Sequence, residues 1–141
     1  MKVLICMLLG IFLIPPVVGY SQTQKNRLKR VIIEFEDFMT TTSEGVNCEY
    51  FRATFKNTLD TIEILNSKEL NTLFISSRRF IRSNEKPIDV RAIVRFEFEH
   101  WQYEYCMNRF GIFVDKKTNA FYVNRLLSDF IRRKCLPPNM L

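Results

Sequence analysis

Residues 88–101 read IDVRAIVRFEFEHW, a run that leaves the backbone little choice. Val90, Ala92, Val94, Phe96 and Phe98 share one parity, while Asp89, Arg91, Arg95, Glu97 and Glu99 hold the other, with Ile93 the exception. Successive side chains of a strand point to opposite faces of a sheet, so this is the pattern of a strand with one face buried. Val94, Phe98, Trp101 and Tyr105 also stand at helical spacing, but the density of branched and aromatic residues favours the strand. Past His100 the apolar parity flips to Trp101, Tyr103 and Tyr105, which requires either a bulge near His100 or the end of the core strand there.

The remaining segments give that strand its neighbours. VIIEFEDF, residues 31–38, sets Ile33, Phe35 and Phe38 around Glu34 and Glu36 and reads as a first strand. From Cys48 to about Asn66, Phe51, Phe55, Leu59, Ile62 and Leu65 recur at steps of three and four, the apolar stripe of an amphipathic helix. TLFISSRRFIR, residues 72–82, fits a second strand. SNEKP is a turn, with Pro87 biasing Lys86 toward extended geometry. GIFVDKKTNAFYV gives a short apolar piece, a polar turn at Asp115–Asn119 and the entry to a last helix carrying Val123, Leu126, Leu127, Phe130 and Ile131. Arg132, Arg133 and Lys134 suit the dipole at that helix's end, and Pro137 and Pro138 stop it. Strand, helix, strand, strand, helix is the order of an α+β fold, one antiparallel or mixed sheet with helices on a single face.

Residues 1–19, MKVLICMLLGIFLIPPVVG, have the layout of a cleaved secretory signal peptide: one lysine, an uncharged apolar run, small residues at the end. An uncleaved type II anchor is the alternative. The basic cluster Lys25, Arg27, Lys29 and Arg30 opposes it, because it would then lie outside the membrane. Residues 20–30 are a polar basic lead, and about 105 residues from Val31 to Cys135 suffice for one domain with one core. Residues 136–141 form a tail. Loss of Lys2 with the leader leaves 20 basic and 15 acidic side chains, a net +5. Such a charge favours acidic partners without defining a site. The mature cysteines are Cys48, Cys106 and Cys135, so an exported chain can hold one disulfide and one odd thiol, which is either buried or joins another chain as a homodimer. No spacing suits zinc, no cofactor is expected, and no Asn-x-Ser/Thr sequon is present.

Residues 50–99, YFRATFKNTLDTIEILNSKELNTLFISSRRFIRSNEKPIDVRAIVRFEFE, and the later RLLSDFI resemble the SEA domain, an extracellular module of membrane mucins, proteoglycans and the stems of type II transmembrane serine proteases. The protease-stem members are the most similar. The resemblance implies a ferredoxin-like sandwich and an adhesive or structural role outside the cell. Some members of the family cut their own backbone at a Gly-Ser bond before the long strand. Ile88 and Asp89 stand there in this chain and supply no hydroxyl nucleophile, so an uncut chain is expected. The family's final edge strand has no counterpart after Cys135 unless Ile112–Val114 takes its place. Carried onto this chain, the sandwich sets the first and third strands side by side and parallel, with the end of the third and the start of the first helix at one rim. The resemblance thereby implies a Cys48–Cys106 disulfide and leaves Cys135 over.

Catalytic readings are weak. His100 and Cys106 are six residues apart, about 20 Å along a strand. Glu97, Glu99 and Glu104 alternate with arginines as on an ordinary solvent-facing strand. Arg78, Arg79 and Arg82 form a basic cluster that suits a sulfated glycan or an acidic protein, Arg78 and Arg82 sharing a strand face. Trp101, Tyr103 and Tyr105 make an aromatic edge that either meets a sugar or partner or fills the core of a bulged strand. RLKR, residues 27–30, has the spacing of a basic processing site but reads as an incidental lead. The expectation is a small secreted SEA-like contact domain, non-enzymatic, meeting an extracellular protein or acidic glycan and not nucleic acid. The rival is a helical-bundle cytokine, which requires residues 90–99 to be helical.

Overall fold

The computed structural model describes residues 27–86 and 89–137. Residues 1–26, Pro87, Ile88 and the last four residues lie outside that range, so the expected signal peptide, most of the basic lead and the first half of the Ile88–Asp89 pair are not part of the description. The elements are β1 (Leu28–Phe35), α1 (Phe51–Thr54), β2 (Asp60–Ile64), α2 (Ser67–Ser76), β3 (Ile81–Arg82), β4 (Val90–Phe98), β5 (Gln102–Asn108), β6 (Ile112–Asp115), β7 (Phe121–Val123) and α3 (Arg125–Cys135). They build an α+β fold around one seven-stranded sheet of order β2-β1-β4-β5-β6-β7-β3. Every pairing is antiparallel. The alternating run is β4, near the middle of the sheet, and it rules out a helical bundle.

The periodicity of β4 is realised as two different faces. Ala92, Val94, Phe96 and Phe98 enter the main core with Val31, Ile33 and Phe35 of β1, under Leu70 and Leu73 of α2 and Leu127 and Ile131 of α3. Burial of each large apolar side chain there stabilises the fold by about 1.5–3 kcal/mol. The two covering helices run antiparallel. The Asn124 amide ahead of α3 donates to the Ser76 carbonyl at the end of α2 (2.7 Å), and Lys134 at the other end of α3 pairs with Glu69. Gly111, at φ +83°, lets the β5–β6 turn approach α3 so closely that a Cβ there would come within 2.9 Å of the Ser128 Cβ. On the opposite face, Val90, Ile93, Cys106 and Val114 meet Phe51 and Phe55, so α1 lies on the side away from α2 and α3. The helices therefore cover both faces, not one.

The helix expected over Cys48–Asn66 reduces to the single turn α1. Phe51 and Phe55 are buried one turn apart, as the stripe predicts, but Leu65 at its far end is 63% exposed. The second half, DTIEI, is rich in β-branched residues and becomes β2, pairing along the free side of β1 with Ile33 opposite Ile62 and Val31 opposite Ile64. Backbone groups on a strand edge need partners, and that demand overrides a helical stripe in a β-branched segment. The strand expected over residues 72–82 is instead the second half of α2 as far as Ser76, followed by a turn. The Asn66 side chain caps the helix, accepting from Lys68 N and Glu69 N at 2.9 and 3.2 Å, and Leu70, Leu73 and Phe74 face the core. Only Ile81–Arg82 is extended, against β7.

β1 and β4 are neighbours as expected, but antiparallel. This register sets Val31 opposite Phe96 and Ile33 opposite Val94 on the core face, and Arg30 opposite Glu97 on the other. It therefore matches apolar with apolar and cation with carboxylate. Of the two outcomes open at His100, the strand ends: Phe98 N donates to Trp101 O at 2.9 Å across a tight turn into β5. Ile112–Val114 is indeed extended, but β6 lies inside the sheet, whose edges are β2 and β3. The Asp115–Asn119 turn is present, its Asp115 carboxylate accepting from Lys117 N at 2.8 Å, and it leads into β7 before α3. The ordered domain starts earlier than Val31, because Leu28 of RLKR is buried and Arg30 is bonded to Glu63 and Glu97 within β1.

Candidate functional site

Cys48 and Cys106 form a disulfide, with Cα atoms 5.7 Å apart. The pair is the expected one, but the geometry differs. Cys106 lies within β5, opposite Ile93 and Val114 on the face that α1 covers, and the bond pins the 36–59 segment to the middle of the sheet. Its sulfur is therefore unavailable as a thiolate, and His100 sits in the exposed β4–β5 turn.

Cys135 is the free cysteine among the described residues. It packs with Leu136 against the core, and burial pushes its thiol up to about 12 from 9.0. The thiol thus stays protonated at neutral pH, and the stability gained from keeping it neutral is lost only as pH rises from about 9 toward 12. Since the thiolate is the reacting form, iodoacetamide at pH 8 should modify Cys135 of the folded chain at least about a hundredfold more slowly than in denaturant. Equal rates, read by mass spectrometry, would refute this account of its environment. The same burial works against a covalent homodimer through Cys135.

The solvent-facing side of β1, β4 and β5 is a self-neutralised lattice. Glu104 meets Arg52 at 2.8 Å, Arg95 at 3.5 Å and Lys116 at 2.8 Å. Burial alone would raise its carboxyl, but hydrogen bonds from Arg52 and Lys116 outweigh that and hold it below the usual carboxylate range. Glu34 pairs with Arg52, Glu97 with Arg30 and Arg95, and Glu99 with Lys29 at 3.3 Å. None of the three acids singled out in the sequence is left as an uncommitted acid–base pair.

At the start of β4, the alternation sends Arg91 to the nominally polar face, yet Arg91 is fully buried. Its guanidinium bonds Asp89 at 2.7 Å and lies 5.3 Å from the centre of the Phe55 ring. Arg109 holds the same carboxylate at 2.9 Å and also donates to Thr40 O at 3.0 Å, while the Thr42 hydroxyl donates to Asp89 at 3.2 Å. Asp89 itself has φ +69°, a left-handed conformation in which Asp is among the better tolerated residues. Nothing in the alternation foretells this buried ion cluster.

The basic cluster is found on the helix side of the molecule. Arg78 and Arg79 lie in the turn after α2 rather than on a strand, Arg79 N donating to Ser76 O at 2.9 Å, and Arg82 lies in β3 opposite Tyr122. All three are exposed, and among the described residues none has a carboxylate within ion-pair distance. Arg125, exposed at the start of α3, lines with Glu85 and Val123 a cleft of about 250 Å³. Aromatic rings run alongside. Arg78 lies 4.3 Å over Phe74, whose ring is 6.1 Å from Phe98, which in turn stacks on Trp101 at 3.9 Å and 5°. Phe80 stacks on Tyr105 at 4.3 Å and meets Tyr122 at 5.6 Å. Burial raises the phenol of Tyr103, while the neighbouring Ser77 hydroxyl and the charge of Arg78 act the other way. Tyr103 and Tyr105 are thus half-buried and pack against the core, whereas Trp101 is 45% exposed.

Fold and surface together define an α+β domain with a disulfide-pinned segment on one sheet face and an arginine–aromatic corner beside the helices on the other. No family model matches the chain, and neither the curated proteins nor the solved structures contain a significant match to it. Among the described residues no helix is long and apolar enough to cross a membrane.

Proposed function

We propose that this chain is exported and acts as a non-enzymatic contact domain for acidic polysaccharide, using the corner formed by Arg78, Arg79 and Arg82. One observation carries the reading: these three arginines are exposed without carboxylate partners among the described residues, while the cations of the sheet face are already paired. A paired surface charge gains little from a new anion. An unpaired guanidinium offers its donor fork to sulfate or carboxylate. Export rests on the leader sequence, and a disulfide is at home in that setting. The likeness to SEA domains supplies the role of an extracellular contact module, and with Ile88 and Asp89 at the turn the chain remains uncut.

The test uses the chain from Tyr20 onward on immobilised heparin, with poly-glutamate as competitor. Retention should fall roughly tenfold or more as salt rises through the physiological range, because exposed charges are screened within about 8 Å. It should fall to the level of a charge-matched control in the Arg78→Ala/Arg79→Ala/Arg82→Ala variant. Retention unchanged in that variant, or poly-glutamate competing as well as soluble heparin, would refute the reading.

A further inference from the structure

We propose, resting on the reading above, that Trp101 is a stacking platform for a sugar ring of the same polysaccharide, so that one oligosaccharide lies across Trp101 and Arg78. Trp101 follows the turn that ends β4 and stands on the helix-covered side of the sheet beside Phe98. The two rings are nearly parallel and stacked at 3.9 Å, so one face of the indole is covered by Phe98. Tyr103 lies beside the indole, ring centroids 5.3 Å apart and inclined by 22°, and Trp101 remains 45% exposed. β5 pairs with β6 only from Tyr105 to Met107, and β6 ends at Asp115. Among the described residues no strand pairs alongside Trp101 on the side away from β4.

An indole braced by Phe98 and still partly exposed is already ordered, so a ligand stacking on it costs little rotamer freedom. Aromatic faces carry partial negative charge and attract the weakly positive C–H edges of a pyranose. The contiguous contacts Trp101–Phe98–Phe74–Arg78 join the platform to the first corner arginine. The apolar faces of a sugar and its acidic substituents thus meet two separate features of one surface. An inorganic anion would use the arginines alone.

Trp101 is the chain's single tryptophan, so intrinsic fluorescence reports on this ring and no other. Titration with a heparin hexasaccharide should shift its emission with the same midpoint as binding measured by calorimetry. Inorganic sulfate should leave the emission unchanged. Trp101→Ala should weaken the hexasaccharide roughly tenfold at low and at moderate salt alike, because stacking is not screened, and Trp101→Phe should recover most of the loss. Arg78→Ala should reduce the salt dependence and keep the emission shift at saturation. A hexasaccharide that binds through the arginines with no change in emission, and equally well to a folded Trp101→Ala variant, overturns the platform while leaving the proposed function standing. Absence of binding to the unaltered chain overturns both. Should Trp101→Ala fail to fold, the emission of the unaltered chain decides alone.

Discussion

Replacing both Cys48 and Cys106 by alanine should lower the unfolding free energy by about 4 kcal/mol and the melting temperature by about 15–25 °C, for a domain of roughly a hundred residues. The first figure follows from chain entropy. The bond joins residues 58 apart, and releasing so long a loop restores that freedom to the unfolded chain. The second consequence lies in the native state. Residues 36–59 are anchored to the sheet by the disulfide, by the apolar contacts of Phe51 and Phe55, and by few main-chain bonds, one of them Val90 N to Val46 O at 2.7 Å. Without the bond, this segment should open before the sheet does. Hydrogen exchange at Thr54, Phe55 and Leu59 should then quicken far more than at Val94 or Phe96. A melting shift below about 5 °C, or uniform loss of protection, would show that the apolar contacts, the Arg52 ion pairs and the bonds of Thr40 and Thr42 hold the segment without the disulfide.

β4 was legible because its alternation is long, its apolar members are branched or aromatic, and both neighbours satisfy its edges. The turn at Asp115 was legible for a local reason as well: its carboxylate accepts from the backbone two residues on, as Asp in turns generally does. The misreadings on either side of Asn66 share one cause. Phe51, Phe55, Leu59, Ile62 and Leu65 have helical spacing, but Ile62 and Ile64 also alternate with Thr61 and Glu63, and only the empty side of β1 decides between the two. The following NSKEL carried a readable signal, an Asn cap with Glu three residues later, which marks a helix start at Asn66. The corner arginines could be named from the sequence. Their lack of acidic partners could not, because it depends on which cations the sheet face had already engaged. Nor could the difference between Trp101 and the two tyrosines, which share a parity. It arises from what packs on each ring: Phe96 stacks on Tyr103 and Phe80 on Tyr105, whereas Trp101 follows directly on the β4–β5 turn.

Arg91 is the point where strand alternation fails most completely, and it yields the second large effect. Asp89→Asn should destabilise the fold by about 3–5 kcal/mol, read by urea unfolding with an unchanged slope. The substitution retains size and shape, and asparagine tolerates φ +69° about as well as aspartate, so the backbone contributes little. What is lost is the charge that faces the guanidinium of Arg91, fully buried, and that of Arg109. A buried cation without its anion is far costlier than the pair is favourable. It follows that Arg91→Met in the Asp89→Asn background should restore most of the loss, because it removes the stranded charge and leaves an apolar side chain against Phe55. The double-mutant cycle should give a coupling of about 2 kcal/mol or more between positions 89 and 91. The same ion cluster holds the turn into β4, with Arg109 reaching Thr40 O and Thr42 reaching Asp89. If Asp89→Asn costs less than about 1 kcal/mol, the buried guanidinium is being satisfied by groups other than Asp89, and the turn into β4 is held by something other than this charge.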